Sequence, residues 1–257
     1  MRVFTIFLKR GFMKRKNKIL LIVLAAVLSV LLIGGAVYLF AFYLPEKKET
    51  AEHERLVKEY RESKLEKYRE ENEKYADYEV DVAFIGDSLT DGYDLEKYYP
   101  EFVVSNRGIG GDTTFDVEGR IQTSLYDLKP KVAVMLIGGN NLKTMFENYE
   151  NILLGMKENL PETKIILVSL TAMGQEWGAE KNEIAALNNV KIKILAEKYG
   201  FEYVDLFTPL YDISIGEIYA EYTSDGAHQT DKGYEVFTAT IKPAIEKALE
   251  EWKSENQ

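Results

Sequence analysis

Four short segments of this chain contain residue types that can take part in bond-breaking chemistry. The first is Ile85-Gly86-Asp87-Ser88-Leu89-Thr90, which directly follows an apolar run. A serine at the end of a strand is held rigidly beside free backbone N–H groups, and this position suits a nucleophile next to an anion site. A helix-capping turn is the alternative interpretation of Gly-Asp-Ser, because Asp and Ser are both good N-caps.

A possible base for this serine lies late in the chain, in Asp225-Gly226-Ala227-His228. A carboxylate three residues before an imidazole can bond one ring nitrogen and leave the other facing a nucleophile. The only other histidine, His53, lies in a charged stretch with no motif around it. Together with Ser88, this pair favours nucleophilic catalysis over a purely structural role for His228.

Two further loops offer hydrogen-bond donors to an anion. In Asn106–Thr114 (NRGIGGDTT), three glycines within four residues allow backbone amides to approach a ligand closely. This loop lacks lysine and matches neither glycine-rich nucleotide motif, so phosphate binding is the weaker interpretation. Gly138–Asn141 (GGNN) supplies side-chain amides that donate without adding charge, as in an oxyanion hole. Taken alone, GGNN is more typical of a turn with a helix cap.

The elements that must position these loops alternate between strand and helix. Short, continuously apolar runs predict buried parallel strands at 79–85, 102–105, 131–137, 164–170 and 201–206. Helical patterns lie between and after them at about 114–127, 143–159, 181–199 and 231–251, the last with an expected kink at Pro243. This order predicts an α/β fold, with a doubly wound, flavodoxin-like, mostly parallel five-stranded sheet and helices on both faces. Ligands of such sheets bind at the carboxyl ends of the strands, where the four segments lie.

The N-terminal part of the chain has a different character. Residues 19–44 contain no charge and are long enough to cross a bilayer as a helix. A cleaved signal peptide is the rival interpretation, but Ala41-Phe42-Tyr43 supplies no small-x-small cleavage site. We therefore expect an uncleaved transmembrane signal anchor that contacts the lipid bilayer.

The charges around the anchor predict its orientation. The basic residues that precede it are Arg2, Lys9, Arg10, Lys14, Arg15, Lys16 and Lys18, with no acid among them. Residues 1–18 are then a cytoplasmic tail, and the rest of the chain is extracytoplasmic. Met13 is an alternative start.

Residues 45–77 lack Gly and carry opposite charges at helical spacing, such as Glu54/Lys58 and Glu70/Lys74, which predicts a solvated helical stalk before a folded domain at 78–257. Its apolar residues are too sparse for a convincing coiled coil, so the oligomeric state stays open.

Composition excludes several classes of function. The chain has no cysteine, which rules out disulfides, thiolate metal sites and a cysteine nucleophile. The net charge is −10 although the N-terminus is basic, so the folded body is strongly acidic and nucleic acid is an unsuitable partner.

The four segments, in this order, resemble the blocks of the SGNH hydrolase superfamily, also called GDSL esterases and lipases. The matching residues are Ser88 in GDSLTDGY, Gly111 in NRGIGGDTT, Asn140 in GGNN and His228 in DGAH. The resemblance covers about residues 79–250. The family usually has Asp where Asn141 stands, and Asn there resembles the branch of the platelet-activating-factor acetylhydrolase catalytic subunits.

The resemblance implies a serine hydrolase that cleaves ester bonds through Ser88, His228 and Asp225. It further implies an oxyanion hole formed by the backbone N–H groups of Ser88 and Gly111 and the side-chain amide of Asn140, with no metal or organic cofactor. The loops at 171–180 and 207–224 are expected to form the substrate rim. Candidate contacts there are aromatic, namely Trp177, Tyr211, Tyr219 and Tyr222, although local packing is an equally good interpretation.

The substrate does not follow from these residues. An anchored domain on the outer side of the membrane favours a short acyl ester, such as acetyl, on a surface glycan or lipid. Lysophospholipid deacylation and acyl transfer to a glycan are the alternatives, since the acyl-enzyme is common to hydrolysis and transfer. A catalytically idle glycan- or lipid-binding module is less favoured, because every nominal catalytic group is present.

Overall fold

The computed structural model describes residues 15–177 and 180–256. The predicted tail at 1–18 therefore lies mostly outside the described residues, as do the alternative start at Met13 and two residues of the predicted rim loop, Gly178 and Ala179. The chain divides into two compact units, Met1–Tyr60 and Arg61–Gln257.

The described part of the first unit is helical. Helix α1 spans Arg15–Tyr38, a π-helical turn spans Leu39–Tyr43, and α2 begins at Leu44 and ends at Asn72 in the second unit. The large apolar side chains of α1 are exposed. Among the described residues, one continuous helical segment, Asn17–Asn72, is long and apolar enough to cross a membrane.

The last turns of α2 belong to the second unit, which differs from the division expected near residue 77. Tyr68 is buried there, and its hydroxyl donates to the carbonyl oxygen of Gly108 at 2.6 Å. The charge pattern of α2 is compatible with water on all sides, but from Arg61 onward one face of the helix packs against the folded unit.

The second unit contains the predicted parallel sheet. Its five strands run in the order β2-β1-β3-β4-β5, and every pairing is parallel. The strands are β1 (Val82–Gly86), β2 (Val104–Gly108), β3 (Val132–Leu136), β4 (Lys164–Val168) and β5 (Glu202–Val204). The α/β fold class is therefore confirmed, and each strand begins and ends within three residues of its predicted bounds.

Successive strand residues point to opposite faces of the sheet, so each face carries its own core. One core contains Ala83, Ile85, Ala133, Met135, Ile165 and Leu167, and the other contains Val82, Phe84, Val132, Val134, Ile166 and Val168. Burial on both faces explains why the strands are continuously apolar rather than alternating.

The helices cover both faces. They are α3 (Ser88–Asp91), α4 (Leu95–Tyr98), α5 (Thr114–Ile121, continued by a π-helical turn at Gln122–Tyr126), α6 (Tyr149–Asn159), α7 (Glu180–Tyr199), α8 (Phe207–Leu210) and α9 (Asp231–Asn256). Pro243 lies inside α9 without ending it. A two-stranded antiparallel hairpin, β6 (Tyr211–Asp212) and β7 (Glu217–Ile218), precedes α9.

Candidate active site

Ser88 is the first residue of α3, directly beyond the carboxyl end of β1. The side chain of Asp87 caps this helix by accepting a hydrogen bond from the Leu89 N–H at 3.1 Å. The strand and helix meet very closely, since a Cβ on Gly86 would lie 2.2 Å from Thr90 Oγ1. The capping turn and the nucleophile position are therefore the same feature, because the turn holds Ser88 at the sheet edge.

The loop before α9 brings His228 to this serine. His228 Nε2 lies 3.0 Å from Ser88 Oγ, and His228 Nδ1 lies 2.7 Å from Asp225 Oδ2. With Nδ1–H donating to the carboxylate, Nε2 is left as the acceptor for the serine proton. Ser88 and His228 are 140 residues apart in sequence. In this arrangement the serine hydroxyl can pass its proton to the imidazole.

Asp225 is held by its own loop. Its Oδ1 accepts hydrogen bonds from the backbone N–H groups of Ala227 at 3.0 Å and His228 at 2.8 Å. The hydrogen bonds from the side chain and backbone of His228 lower the pKa of Asp225 to about 2. Gly226 between them has φ +81°, a left-handed conformation that favours glycine. The carboxylate is therefore ionised at neutral pH and fixed toward the imidazole.

Asn140 lies in the loop after β3 and lines the same cavity as Ser88, whereas Gly111 lies in the loop after β2 and does not line it. The Asn140 side-chain amide donates to the backbone carbonyl oxygen of Asp112 at 2.9 Å, which ties the loop after β3 to the loop after β2. Gly111, directly before Asp112, has φ +80° and is exposed. The side-chain amide of Asn140, in the cavity of Ser88, is a group that can stabilise a developing oxyanion.

Asn141 is turned toward α5. Its Oδ1 accepts from the Thr114 N–H at 3.3 Å, and its Nδ2 donates to Thr114 Oγ1 at 2.9 Å. The position at which this chain departs from the usual family residue therefore supports the start of a helix.

Asp87 is buried beside Ser88, and burial raises its pKa to about 6. The charge of Asp112 acts in the same direction, whereas the Leu89 N–H and His228 favour the ionised form. The charge state of Asp87 is therefore influenced in opposite directions by Asp112 and by His228.

Ser88, Asn140 and His228 line a cavity of about 230 Å³. Trp177 also lines it, as the sequence suggested, and the indole N–H donates to the Asp225 carbonyl oxygen at 2.8 Å. The indole thus contacts the loop that carries the histidine and also forms part of the cavity wall.

Three further lining residues, Thr171, Met173 and Lys181, were not predicted individually. Thr171 and Met173 lie in the predicted loop after β4, and their position after a strand end was the available signal. Lys181 lies in α7 with its ammonium 5.0 Å from the centre of the Trp177 ring, and nothing in the sequence near it indicated a site.

The three tyrosines proposed for the rim lie elsewhere. Tyr211, Tyr219 and Tyr222 do not line this cavity in the described part of the chain. Tyr211 packs against Phe207, and Tyr219 packs edge-on against Tyr222. The local-packing interpretation describes them, because Tyr211 and Tyr222 pack against the core on the α9 side of the sheet and the more exposed Tyr219 contacts Tyr222.

The described residues contain no group of three His, Asp or Glu side chains arranged to hold a metal ion. The polar groups that line the cavity include hydroxyl, imidazole, amide, ammonium and carboxyl groups.

A family model for GDSL-like lipases and acylhydrolases matches residues 84–236, more than half of the chain and every one of the four sequence blocks. The chain belongs to the GDSL-like lipase/acylhydrolase family. It is a serine hydrolase of ester bonds, and the resemblance to the SGNH superfamily is confirmed. No curated protein sequence matches it.

Solved structures of similar proteins agree with this assignment. A Streptococcus pneumoniae protein described as a platelet activating factor is 25% identical, with a TM-score of 0.69 over 77% of this chain and 99% of the other. An acylhydrolase from Bacteroides fragilis is 25% identical, with a TM-score of 0.64 over 72% of this chain and 97% of the other. A GDSL-like lipase from Bacteroides thetaiotaomicron is 27% identical, with a TM-score of 0.63 over 72% and 98%.

Proposed function

We propose that this protein is a membrane-anchored extracytoplasmic esterase that removes a short acyl group, such as acetyl, from a surface glycan or lipid with Ser88, His228 and Asp225. The observation that carries the proposal is the line of contacts from Asp225 Oδ2 to His228 Nδ1 at 2.7 Å and from His228 Nε2 to Ser88 Oγ at 3.0 Å.

In the proposed mechanism, His228 takes the proton of Ser88 as the serine oxygen attacks the ester carbonyl. Asp225 keeps the imidazole in the required tautomer and stabilises its protonated form. The oxyanion accepts hydrogen bonds from the backbone N–H groups of Ser88 and Gly111 and from the Asn140 amide. His228 then protonates the leaving alcohol, and water, activated by the same imidazole, releases the acyl group.

The size of the cavity supports a short acyl group. Its volume of about 230 Å³ is below the roughly 300–1,000 Å³ of pockets that enclose drug-sized molecules. Its apolar contribution near the serine comes from a few side chains, among them Leu89 and Met173. An acetyl or similarly small group fits such a space better than a long acyl chain does. The resemblance of Asn141 to an acetylhydrolase branch points to the same class of ester.

A series of p-nitrophenyl esters tests the substrate class with full-length protein in detergent micelles. We expect kcat/KM to be highest for acetyl and to fall through butyryl, octanoyl and dodecanoyl esters. A preference for dodecanoyl would favour lysophospholipid deacylation instead. Addition of a glycan acceptor separates the two fates of the acyl-enzyme, because transfer yields acylated glycan and hydrolysis yields free acid.

The anchor and its orientation are tested in intact cells. The chain has no cysteine, so a single introduced cysteine is the only site for a membrane-impermeant maleimide. We expect Ser254→Cys to be labelled from outside and Asn17→Cys to be labelled only after permeabilisation. A soluble secreted form, or the reverse labelling pattern, would overturn the proposed topology.

A further inference from the structure

One face of α2 makes three polar contacts with the segments around the candidate oxyanion donors. Arg61 Nη1 lies 2.5 Å from Asp112 Oδ1, Lys64 is paired with Asp91, and the Tyr68 hydroxyl donates to Gly108. Positions 61, 64 and 68 are three and four residues apart, which places them on the same side of a helix. All three lie outside the segment that the family model matches.

Asp112, the partner of Arg61, is held from two sides. Its side chain is fully buried, with Arg61 on one oxygen and Arg120 Nε on the other at 2.6 Å. Burial raises the pKa of the Asp112 carboxyl, and both guanidinium groups counteract this. A buried carboxylate that loses a partner is strongly destabilised, so Arg61 and Arg120 together determine where this carboxylate can sit.

The backbone of Asp112 connects this ion cluster to the donors. Its carbonyl oxygen accepts from the Asn140 amide at 2.9 Å, and its N–H donates to the Ile109 carbonyl oxygen at 3.2 Å. Gly111 is exposed, and a Cβ placed on it would meet no atom within 4 Å. Packing at Gly111 itself therefore does not hold its backbone, which is restrained through its two neighbours. On one side these are the contacts of Asp112, and on the other the Gly110 N–H donates to Asp91 Oδ2 at 3.3 Å.

Arg120 alone leaves one carboxylate oxygen without a fixed partner. Its other nitrogens donate to the Ser124 hydroxyl at 2.8 Å and to the Gly86 carbonyl oxygen at 2.9 Å. Arg61 holds the remaining oxygen, and its Nη2 also contacts Asp116 Oδ1 at 3.1 Å, at the start of α5. The Arg61 guanidinium thus bridges the Asp112 carboxylate to the helix that follows the loop.

We propose that Arg61 is a positioning residue for ester cleavage: through Asp112 it keeps the Gly111 N–H and the Asn140 amide aimed at the oxyanion. This proposal rests on the proposed function, because it requires that Gly111 and Asn140 serve as the donors. Arg61 acts without touching the substrate, so its removal should affect the transition state more than substrate binding.

The test compares Arg61→Gln with Arg69→Gln in full-length protein in detergent. Arg69 lies on the same helix but pairs with exposed Glu66. We expect Arg61→Gln to lower kcat about tenfold with KM within about twofold, because donor alignment contributes mainly to the transition state, and Arg69→Gln to be unchanged. Near-UV circular dichroism at the assay temperature establishes the folded fraction by which kcat is divided.

A double-mutant cycle separates positioning from a general structural role. In an Asn140→Ala background one of the aligned donors is already gone, so Arg61→Gln should cost clearly less than it does alone. An equal loss in both backgrounds, or a kcat for Arg61→Gln within twofold of Arg69→Gln, overturns the proposal. If Arg61→Gln does not fold, Arg61→Lys replaces it. A lysine ammonium cannot bridge the carboxylates of Asp112 and Asp116 as the guanidinium does, so we expect a kcat between those of the wild type and a full loss of the contact. A wild-type kcat for Arg61→Lys would overturn the proposal.

The two proposals fail differently. If Asn140→Ala alone retains native turnover, the proposed oxyanion assignment is wrong. If Asn140→Ala loses activity and Arg61→Gln does not, only the positioning role of Arg61 is wrong.

Discussion

The loop that carries His228 and the two loops that carry Gly111 and Asn140 hold their polar groups by different means. Asp225 and His228 are three residues apart, and both side chains are nearly half exposed. Asn140 reaches back 28 residues to Asp112, whose buried carboxylate is paired with Arg61, 51 residues before it. The base side, by which we mean the loop with Asp225 and His228, is therefore a local turn in contact with water. The proposed oxyanion side, by which we mean the loops with Gly111 and Asn140, is a junction of distant segments with a buried charge.

This difference predicts how each side responds to substitution. A local turn can lose one side chain without disturbing the rest of the sheet edge, so losses there should fall on chemistry alone. The oxyanion side shares its contacts among α2, α5 and two loops, so substitutions there should couple to one another.

The largest effect is expected on the base side. His228→Gln should remove nearly all activity, and Asp225→Asn should lower kcat by roughly 10⁴-fold through loss of tautomer control, both without loss of the fold. Activity should increase with pH in the unmodified enzyme because a general base works only when unprotonated. Because the pKa of Asp225 is about 2, this carboxylate stays ionised near neutral pH and does not contribute to the pH dependence there.

His53→Gln is the matched control, since His53 lies in α2 and outside the second unit. It should leave the pH–rate profile unchanged. Substantial esterase activity in His228→Gln would contradict the proposed base.

On the oxyanion side, Asn140→Ala should lower kcat by roughly 10²–10³ with KM within a few fold, because one transition-state donor is lost. Asn159→Ala is the control, since within the described residues the Asn159 side chain bonds its own helix, at the Gly155 carbonyl oxygen. Steady-state kinetics with an acetyl ester measures both. Near-native turnover of Asn140→Ala would mean that the donor is another group.

Asp87 is buried beside Ser88, and its raised pKa should affect how the free energy of unfolding depends on pH. Its folded-state pKa of about 6 lies above the roughly 3.9 of an unfolded Asp, so the folded protein holds this proton more tightly. Stability should therefore fall relative to Asp87→Asn as the pH rises from about 4 to about 6.

Thermal unfolding of both proteins in the same detergent across this range measures the difference, which we expect to be a few °C. Asn retains the helix cap. Parallel curves for the two proteins would show that Asp87 titrates normally.

The smallest effect is expected at Trp177. Trp177→Phe keeps a ring beside the cavity but removes the indole donor to the Asp225 carbonyl, a bond of about 1 kcal/mol, so kcat/KM should fall by no more than about fivefold. Trp252→Phe is a matched control, because the Trp252 indole N–H has no hydrogen-bond partner in the described structure. If kcat/KM of Trp177→Phe fell by more than a hundredfold, the position of the loop with Asp225 and His228 would depend on Trp177 and not on the turn alone.

The sequence predicted best what is determined locally. Continuous apolar runs correctly indicated a sheet buried on both faces, and the spacing of Asp225 and His228 predicted a contact that a short turn produces. Neither Lys181 as part of the cavity wall nor Arg61 as the partner of Asp112 could be predicted. A basic residue on a charged helix has the same local pattern whether it faces water or a buried acid many residues away.

The strand order has a consequence for folding. β1 pairs with both β2 and β3, so β1 cannot gain both of its neighbours until the chain is available through Leu136. His228 reaches Ser88 across 140 residues and lies just before the final helix. A chain that has completed its sheet but not docked α9 would contain a serine without its proposed base. In a refolding experiment, recovery of esterase activity should therefore lag behind recovery of the sheet signal. Under the proposed extracytoplasmic topology, the emerging chain should be inert until its last segment arrives.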